Sequence, residues 1–334
     1  MRIVAASLFL ISCVTPTGDH GSFDPTDPPA PQPQPQPEPQ PEPPRATGQY
    51  TLRSDVDVTV DAVLPEQAHD MVVVFRDFSI NPTQTLLDVA EDAGVPAVGT
   101  IRDDLPDYLE DKLEGWINAE IAKVKLGGVP ITQVAANIAA LAESVLTRFA
   151  IDSELTIDGS VATHRLKAID FAPAGLDTKF DVGGLPNEVV SATASCSSQD
   201  GTLTLGDHRY SIAYGQYVWR ALERDMTAQY GGTIRAKLGE AMNCPAIASV
   251  VASKCVWGVC VGHAAELTTI CERGLDEVVA RVRAKVDALR FDAIRFASGT
   301  ATIAPDQLEL GVWTAEINAG VGLRAVPATF TATR

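Results

Sequence analysis

The sequence predicts an antiparallel α+β fold, with antiparallel sheets packed with long amphipathic helices and room for two similar halves in tandem. Some segments alternate apolar and polar residues, as half-buried strands do, and others place apolar residues three or four positions apart, as amphipathic helices do. Strand-like segments follow one another in runs, and so do helix-like segments. Such runs favour an antiparallel α+β arrangement over a doubly wound parallel sheet.

The first predicted strand begins at Tyr50, where apolar and polar residues start to alternate. A period of two turns one set of side chains to the core and the other to solvent. We interpret Asp55, Asp57 and Asp61 as part of the solvent-facing row rather than as a metal site. The apolar row consists of Tyr50, Leu52, Val56, Val58 and Val60.

A second strand is predicted over residues 71–80, which are rich in valine and phenylalanine. Asn81 and Pro82 follow it. Asparagine is a good helix cap and proline suits the first helical turn, so a short helix is predicted from here to about Gly94.

Two long amphipathic helices come next. The first follows Asp104, and its acidic residues lie in the early turns, where the helix dipole favours negative charge; we prefer this explanation to calcium binding. Gly127, Gly128 and Pro130 then break the chain before a helix that starts at Ile131, and strand-like runs extend from there to about residue 181. The apolar stripe of the first helix consists of Leu105, Leu109, Leu113, Trp116, Ile117, Ile121 and Val124.

The second part of the chain repeats this order of elements. Strands are predicted over residues 202–214 and 291–333, and helices over residues 217–242 and 267–289. An offset of 140 residues places Gly159 on Gly299 and Ile138 on Val278. The globular body, residues 48–334, can therefore be divided into possible halves at residues 48–188 and 189–334.

Two such halves, each with long helices on a meander, resemble the architecture of tubular lipid-binding proteins, the class that includes the bactericidal/permeability-increasing proteins. The resemblance implies a carrier of lipid or of another apolar ligand. It is a resemblance of architecture and includes no motif, so the fold by itself does not establish this function.

The N-terminus has the layout of a secretory signal: Arg2, an apolar run and small residues before Cys13. The segment Leu10-Ile11-Ser12-Cys13 resembles the lipobox of bacterial lipoproteins. That resemblance implies that residues 1–12 are a signal peptide and that Cys13 carries the lipid. Val14 stands where lipoproteins retained at the inner membrane often have aspartate. We therefore expect a lipid anchor in the outer membrane, on its periplasmic or its surface face.

A proline-rich segment separates Cys13 from the body. Of the 22 prolines, 12 lie between Pro16 and Pro44, where the chain runs PQPQPQPEPQPEPP at its end. Alternating prolines exclude helix and sheet and favour polyproline II, with a reach of up to about 90 Å for roughly thirty residues. We interpret residues 13–47 as a lipidated cysteine followed by a disordered stalk; a ligand for a polyproline-binding domain is the alternative.

The formal net charge of −17 limits the classes of partner. Nucleic acid binding needs clustered lysine and arginine, so no nucleic acid partner is expected. Anionic lipid surfaces would repel the body, so the expected membrane contact is through the lipid anchor alone. The remaining candidate partners are another protein of the envelope or an apolar ligand.

Five cysteines lie in the body, and an exported chain is expected to form disulfides. The preferred pairs are Cys244 with Cys271 and Cys255 with Cys260, nested around a loop between helices, which leaves Cys196 as an unpaired thiol. The sequence does not determine this connectivity. A zinc site is the rival interpretation, but the cysteines and histidines lack the usual spacing of zinc ligands.

No catalytic motif stands out, and neither a cofactor nor a metal site is predicted. The histidines are scattered, and the nucleophile-elbow, dinucleotide-binding and P-loop patterns are absent. The aromatic residues Tyr210, Tyr214, Tyr217 and Trp219 are expected in the core rather than on a binding surface. The leading hypothesis is a non-enzymatic binding or structural body on a lipid anchor. A carrier of an apolar ligand is the first alternative, and a hydrolase without a recognisable motif is the second.

Overall fold

The computed structural model of the chain describes residues 46–58, 66–92, 107–256, 259–319 and 322–334. The signal segment, the lipobox with Cys13 and the proline-rich stalk lie outside the described residues, so the expectations about them stay predictions.

Within the described residues, ten strands form one antiparallel sheet and four short strands form two separate hairpins. In chain order the strands are β1 (Gly48–Asp57), β2 (Lys125–Leu126), β3 (Val129–Pro130), β4 (Arg148–Asp158), β5 (Val161–Asp170), β6 (Lys179–Asp181), β7 (Ser191–Gln199), β8 (Thr202–Leu205), β9 (His208–Ile212), β10 (Cys255–Val256), β11 (Val259–Cys260), β12 (Phe291–Ile303), β13 (Gln307–Asn318) and β14 (Leu323–Thr333).

Eight strands of the large sheet close into a barrel. The order around the barrel is β1, β4, β5, β7, β8, β12, β13 and β14, and β14 pairs with β1 to complete the ring. The pairing between β12 and β13 makes the sheet continuous on the other side. Two further strands extend the wall, since β6 pairs with β5 and β9 pairs with β12. Closure gives each barrel strand a neighbour on both sides, so its backbone groups are satisfied without an exposed edge.

The alternation predicted for β1 is confirmed. Tyr50, Leu52 and Val56 are buried inside the barrel, whereas Thr51 and Asp55 are exposed on its outer wall. A fully buried apolar side chain contributes about 1.5–3 kcal/mol relative to an exposed one, so the period of two fixes which face of the strand turns inward.

The helices lie between barrel strands in the sequence and pack mainly on one another. The 25-residue helix α8 is at the centre of this layer and contacts α1, α2, α5, α6 and α7, while α1 lies along α4. The helices of the described chain are α1 (Glu66–Ile80), α2 (Pro82–Asp92), α3 (Asp107–Ile121), α4 (Ile131–Thr147), α5 (Tyr214–Tyr230), α6 (Ile234–Met242), α7 (Cys244–Ala252) and α8 (Ala264–Ala288).

Three boundaries between helices and barrel strands meet in one aromatic cluster, which we call the junction cluster: Phe149, Tyr214 and Phe291. Phe149 follows α4, Tyr214 begins α5 and Phe291 follows α8. The ring of Tyr214 stacks on Phe291 at 4.1 Å between centroids and contacts Phe149 at 4.9 Å. Its hydroxyl donates to the carbonyl oxygen of Val145 at 2.6 Å. The barrel and most helices therefore share one buried core.

The junction cluster defines a helix pole of the barrel. The opposite end, which we call the N-terminal pole, is where Gly48 begins β1 and where three hairpins turn. These turns are the connections 158–161, 199–202 and 303–307. Strand β1 therefore begins at the end of the barrel that lies opposite the boundaries between helices and barrel strands.

The predicted fold class is wrong. The structure is a barrel of eight antiparallel strands with two further strands and helices, not sheets packed with long helices. The inner face of a barrel and the buried face of an open meander have the same period of two, so local alternation does not distinguish them. Strands on both sides of residue 188 lie in this one barrel, so the possible halves at residues 48–188 and 189–334 do not form separate sheets.

Residues 71–80 form the end of helix α1 rather than the predicted strand. Val72, Phe75 and Phe78 are buried three residues apart, and this stripe packs between α4 and α8. Tertiary packing here overrides the strand preference of a run of valines. The cap and the helix that follow agree with prediction, since Asn81 accepts a hydrogen bond from the backbone of Gln84 and α2 begins at Pro82.

The close crossing of α5 and α8 gives a stability prediction. Gly215 donates its backbone N–H to Leu289 at 2.8 Å, and an added Cβ would overlap the carbonyl oxygen of Val286. We expect Gly215→Ala to lower the free energy of unfolding by roughly 3 kcal/mol or more, because backbone rather than a flexible side chain must move. Denaturant titration followed by circular dichroism measures this change.

Gly115 is the matched control, since it lies inside α3 and a Cβ added there meets nothing within 4 Å. Gly115→Ala should raise the free energy of unfolding by roughly 0.5–1 kcal/mol. Equal effects of the two substitutions would contradict the close backbone approach at Gly215.

Candidate functional site

The described barrel encloses a hydrogen-bonded chain of polar side chains, which we call the relay: Ser153, His164 and His208. Ser153 Oγ lies 2.7 Å from His164 Nε2, and His164 Nδ1 lies 3.0 Å from His208 Nε2. The far end of the relay is the carbonyl oxygen of Gly206, 2.8 Å from His208 Nδ1. Ser153 and His164 lie on the paired strands β4 and β5, and His208 comes from β9, which is not paired with either strand over the relay.

A kink in the barrel wall places His208 inside. β8 and β9 both pair with β12, and the two residues between them, Gly206 and Asp207, change the direction of the chain. Gly206 packs so closely on Ser195 that an added Cβ would overlap the serine hydroxyl. Its backbone N–H donates to the carbonyl oxygen of Ser195 at 2.8 Å. After the kink, Asp207 lies on the outer surface and His208 is buried.

Ion pairs on the outer wall brace the kink. The guanidinium of Arg295 on β12 forms a two-pronged pair with Asp207, at 3.0 Å from Nε and 2.9 Å from Nη2. Its Nη1 donates to Glu316 on β13 at 2.9 Å. These contacts lower the pKa of Asp207 and raise that of Arg295. Arg295 therefore links the kink to two strands of the barrel.

The carbonyl end fixes the direction of the relay. A carbonyl oxygen only accepts, so Nδ1 of His208 carries a hydrogen and, in a neutral ring, Nε2 accepts. His164 must then donate from Nδ1 and accept at Nε2, which receives the hydroxyl hydrogen of Ser153. All four ring nitrogens of the relay and the hydroxyl hydrogen of Ser153 are used in this one arrangement of neutral rings.

The surroundings of the relay favour neutral imidazoles. His164 is 1% exposed, and burial, followed by the repulsion of His208, lowers its pKa to about 3. Burial also lowers the pKa of His208, although the Gly206 carbonyl and Asp207 act in the opposite direction. A charge on either ring would have to be accommodated in a medium of low polarity.

Aromatic rings surround the relay inside the barrel. Trp313 stacks on His164 at 5.7 Å and on Phe330 at 4.4 Å, and its indole N–H donates to Ser54 at 3.1 Å. Phe296 contacts both Trp313 and His208. Barrels of eight strands are just wide enough for their own side chains to fill, and the region around His164 follows that rule.

The hydroxyl of Ser153 donates its hydrogen bond to a histidine, as the hydroxyl of an activated serine does. The surroundings of the relay, however, do not suit hydrolysis. Ser153 is only 2% exposed, so a substrate would not reach its hydroxyl. A histidine with a pKa near 3 is also a weak general base at neutral pH. The relay therefore does not support the hydrolase alternative.

The predicted pair Cys244–Cys271 is confirmed: it joins the start of α7 to α8, with 5.6 Å between the Cα atoms. Cys255 is disulfide-bonded and lies opposite Cys260 in the β10–β11 hairpin. The side chain of Cys260 lies outside the described residues, so this second pairing stays a prediction. Cys196 is a free thiol, buried on β7, that donates to the carbonyl oxygen of Gly159 at 3.4 Å.

The four aromatic residues singled out from the sequence are buried at different places. Tyr210 donates to the carbonyl oxygen of His164 at 2.9 Å, inside the barrel. Tyr214 belongs to the junction cluster, and Tyr217 donates to Glu188 at 3.1 Å. Trp219 is also buried, on α5. They are core residues, as expected, rather than an exposed binding surface.

A surface cavity of about 420 Å³ opens between α6, α7 and α8, beside the Cys244–Cys271 disulfide. Arg235 and Asp276 form an ion pair on its wall. In the part of the chain that the structure describes, no group of three or more histidine, cysteine or acidic side chains is arranged to hold a metal ion. The polar residues that line the cavity are Arg235, Glu240, Asn243, Glu272 and Asp276.

Sequence reasoning missed the relay because its members are 11 and 44 residues apart and match no motif. One signal was present. His164 stands in phase with the inward residues Ala162 and Leu166, and Ser153 stands in phase with Ile151 and Leu155. Polar residues at inward positions of predicted strands need partners, and this requirement could have suggested a network.

Comparison of the chain with models of known families, with curated proteins and with solved structures gives no match. Among the described helices, none has both the length and the hydropathy needed to cross a membrane.

The direction of the relay predicts the tautomers of two histidines. At neutral pH, His164 and His208 should both carry their hydrogen on Nδ1, although free histidine side chains favour Nε2. Long-range ¹H–¹⁵N spectra of the histidine-labelled protein report the protonation of each ring nitrogen, with exposed His263 as an internal reference. A hydrogen on Nε2 of neutral His164 would contradict the assigned direction.

The low pKa of His164 also predicts acid sensitivity. The folded state keeps this ring neutral down to about pH 3, whereas the unfolded chain takes up the proton near pH 6.5. The stabilisation is therefore complete above about pH 6.5 and is lost progressively as the pH falls toward 3. Between pH 6.5 and 5 the loss should be roughly 2 kcal/mol, measured by urea unfolding.

The control for this measurement is His263→Gln, which removes an exposed histidine and should leave the pH dependence unchanged. His164→Gln should flatten the dependence in this range. A wild-type free energy of unfolding that is constant between pH 6.5 and 5 would rule out a neutral buried His164.

Proposed function

We propose that the chain is an exported lipoprotein, anchored through Cys13, whose barrel carries a non-enzymatic binding surface formed by the helices. The observation that supports this most directly is the position of the two barrel poles. The chain reaches the body at Gly48 on the N-terminal pole, whereas the helices are attached at the opposite pole. An anchor preceding Gly48 would therefore be joined to the barrel at the pole opposite the attachment of the helices.

The rigid connection between barrel and helices supports the same proposal. The junction cluster joins three helices to three barrel strands within one core. A surface on the helices is thereby held at a fixed distance from the N-terminal pole. The proline-rich segment would add a reach of up to about 90 Å between the lipid and the barrel.

The Cys244–Cys271 disulfide fits an oxidising compartment, which export implies. It fixes the wall of the cavity between α6, α7 and α8. This cavity is the feature of the helical surface that we assign to a partner, an envelope protein. Its side chains are mainly acidic and amide, and they suit a polar or basic contact from that partner.

The carrier alternative has less support. The interior around His164 is occupied by Trp313, Phe330 and Phe296 rather than by an apolar space. A second cleft, of about 260 Å³, lies on the barrel wall beside Val56, Pro173 and Pro327.

The anchor is tested by metabolic labelling with an alkyne fatty acid in a bacterial host. The wild-type chain should be labelled and recovered with membranes, and Cys13→Ala should lose the label, since this thiol is the proposed attachment point. Cys196→Ala is the matched control and should keep the label, because its thiol is buried on β7. An unlabelled wild-type chain, or undiminished labelling of Cys13→Ala, would disprove the anchor.

The binding surface is tested separately by photo-crosslinking in cells. A photoreactive residue is placed at exposed Glu240 or Ser249 on the helices, or at exposed Thr163 or Thr204 on the barrel wall. We expect a discrete cross-linked protein from the helical positions and none from the wall. Cross-links only from the wall positions would place the contact surface on the barrel instead.

A further inference from the structure

Strand β9 is attached to the barrel unevenly. Along one side it pairs with β12, from Phe291 to Phe296. Toward β5 and β7, the described backbone pairing of β9 is a single bridge between Val189 and Ser211. The other contacts that β9 makes on this side come from its side chains, and two of these side chains bind the same residue of β5.

Both inward-facing polar residues of β9 form a hydrogen bond with His164 on β5. Its Nδ1 donates to His208, and its backbone carbonyl accepts from the hydroxyl of Tyr210 at 2.9 Å. Alternate residues of β9 are therefore tied to one residue across the barrel. We call these two contacts, from His208 and Tyr210 of β9 to His164 of β5, the catch.

The contacts that hold β9 in place also hold the start of helix α5 in place. Only Ala213 separates the end of β9 from Tyr214, the first residue of α5. Glu188 accepts from the backbone of Ala213 at 3.1 Å and from the hydroxyl of Tyr217. Displacement of β9 would move the first turn of α5 and the junction cluster that Tyr214 belongs to.

A proton on His208 is incompatible with the relay as it stands. Nε2 of His208 accepts from His164, and an added hydrogen there would face the hydrogen on His164 Nδ1. Reversing the relay would restore that contact, but the hydroxyl hydrogen of Ser153 would then need another acceptor. A positive charge would also remain among Trp313, Phe296 and Tyr210. Opening of β9 relieves both problems, because it brings the imidazolium to water.

We propose that the relay is an acid-sensitive catch, in which a proton taken from solvent by His208 releases β9 and the first turn of α5 from the barrel.

His208 is the proton acceptor because of its position. It lies directly after exposed Asp207 at the kink, whereas His164 is enclosed on all sides by the barrel core. Asp207 favours the charged form of His208, although burial dominates in the closed state and keeps its pKa low. In the opened state His208 is in contact with water, so burial no longer lowers its pKa. Protonation of His208 therefore shifts the equilibrium between the closed and the opened state toward opening as the pH falls below about 6.5.

The other titratable and charged groups near the catch come from several elements. Asp207 is held by Arg295, which also binds Glu316, and Glu188 lies where β9 meets α5. The full set is His164 on β5, Arg209 and Tyr210 on β9, Cys196 on β7, Arg295 on β12, Glu316 on β13, and Asp207 and Glu188 in the connections.

The experiment is amide hydrogen exchange of the intact chain at about pH 7 and about pH 5, corrected for intrinsic exchange rates. Protection of β9 and the first turn of α5 should fall about tenfold or more at the lower pH, while β1 and β4 stay protected. Ring ¹⁵N shifts of His208 should report protonation over the same pH range as the loss of protection. Unchanged protection of β9, or equal loss throughout the barrel, would overturn the proposal.

Three variants separate the catch from other titrating groups. His208→Gln should make the protection of β9 independent of pH, whereas His263→Gln should keep the wild-type dependence. If His208→Gln does not fold, Tyr210→Phe replaces it: loss of one contact of the catch should move the opening to higher pH. A fall in protection that persists in His208→Gln, or an unmoved midpoint in Tyr210→Phe, would contradict the catch.

Discussion

The contact among Phe149, Tyr214 and Phe291 is the constraint on which the architecture depends. Each residue stands at a boundary between a helix and a barrel strand, so their packing decides where three helices leave the barrel. Gly215 allows the backbones of α5 and α8 to approach beside this cluster. The helices are consequently gathered at one pole, and the other pole is left to the hairpins and to the incoming chain.

The barrel core combines an aromatic filling with a polar relay, and the two depend on each other. The rings exclude water, which strengthens each hydrogen bond of the relay and makes any unpaired group costly, by about 1–3 kcal/mol. Ser153, His164 and His208 are therefore either all satisfied or collectively unfavourable. The same exclusion of water disfavours a charge on either histidine, so a network that specifies the closed barrel at neutral pH weakens it in acid.

The proposed anchor and the proposed catch concern different ends of the barrel. The segment before Gly48 reaches the barrel at the N-terminal pole, while β9 leads from the core into α5 at the helix pole. Release of β9 would therefore change the presentation of the helices without disturbing β1. The disulfide between α7 and α8 restricts that change, because it fixes two of the helices that line the surface cavity.

The sequence by itself determined much of the local structure and little of its assembly. Period-two alternation correctly predicted β1, helical spacing predicted α3 and α4, and cysteine placement predicted the pair Cys244–Cys271. These features depend on near neighbours, or on a small set of possible partners, so the order of residues carries them. Only the tertiary structure decided that residues 71–80 are helical, because their burial between α4 and α8 outweighs strand preference.

Closure of the barrel and the relay within it were likewise decided only by the tertiary structure. Strand pairing uses backbone groups that are the same at every residue, so alternation identifies the inward face but not the neighbouring strand. The pairing of β12 with β13 and of β14 with β1 therefore left no local mark that distinguishes a barrel from a meander. His164 and His208 appeared as isolated inward residues in the sequence, and they became partners only when closure placed β5 and β9 across the same core.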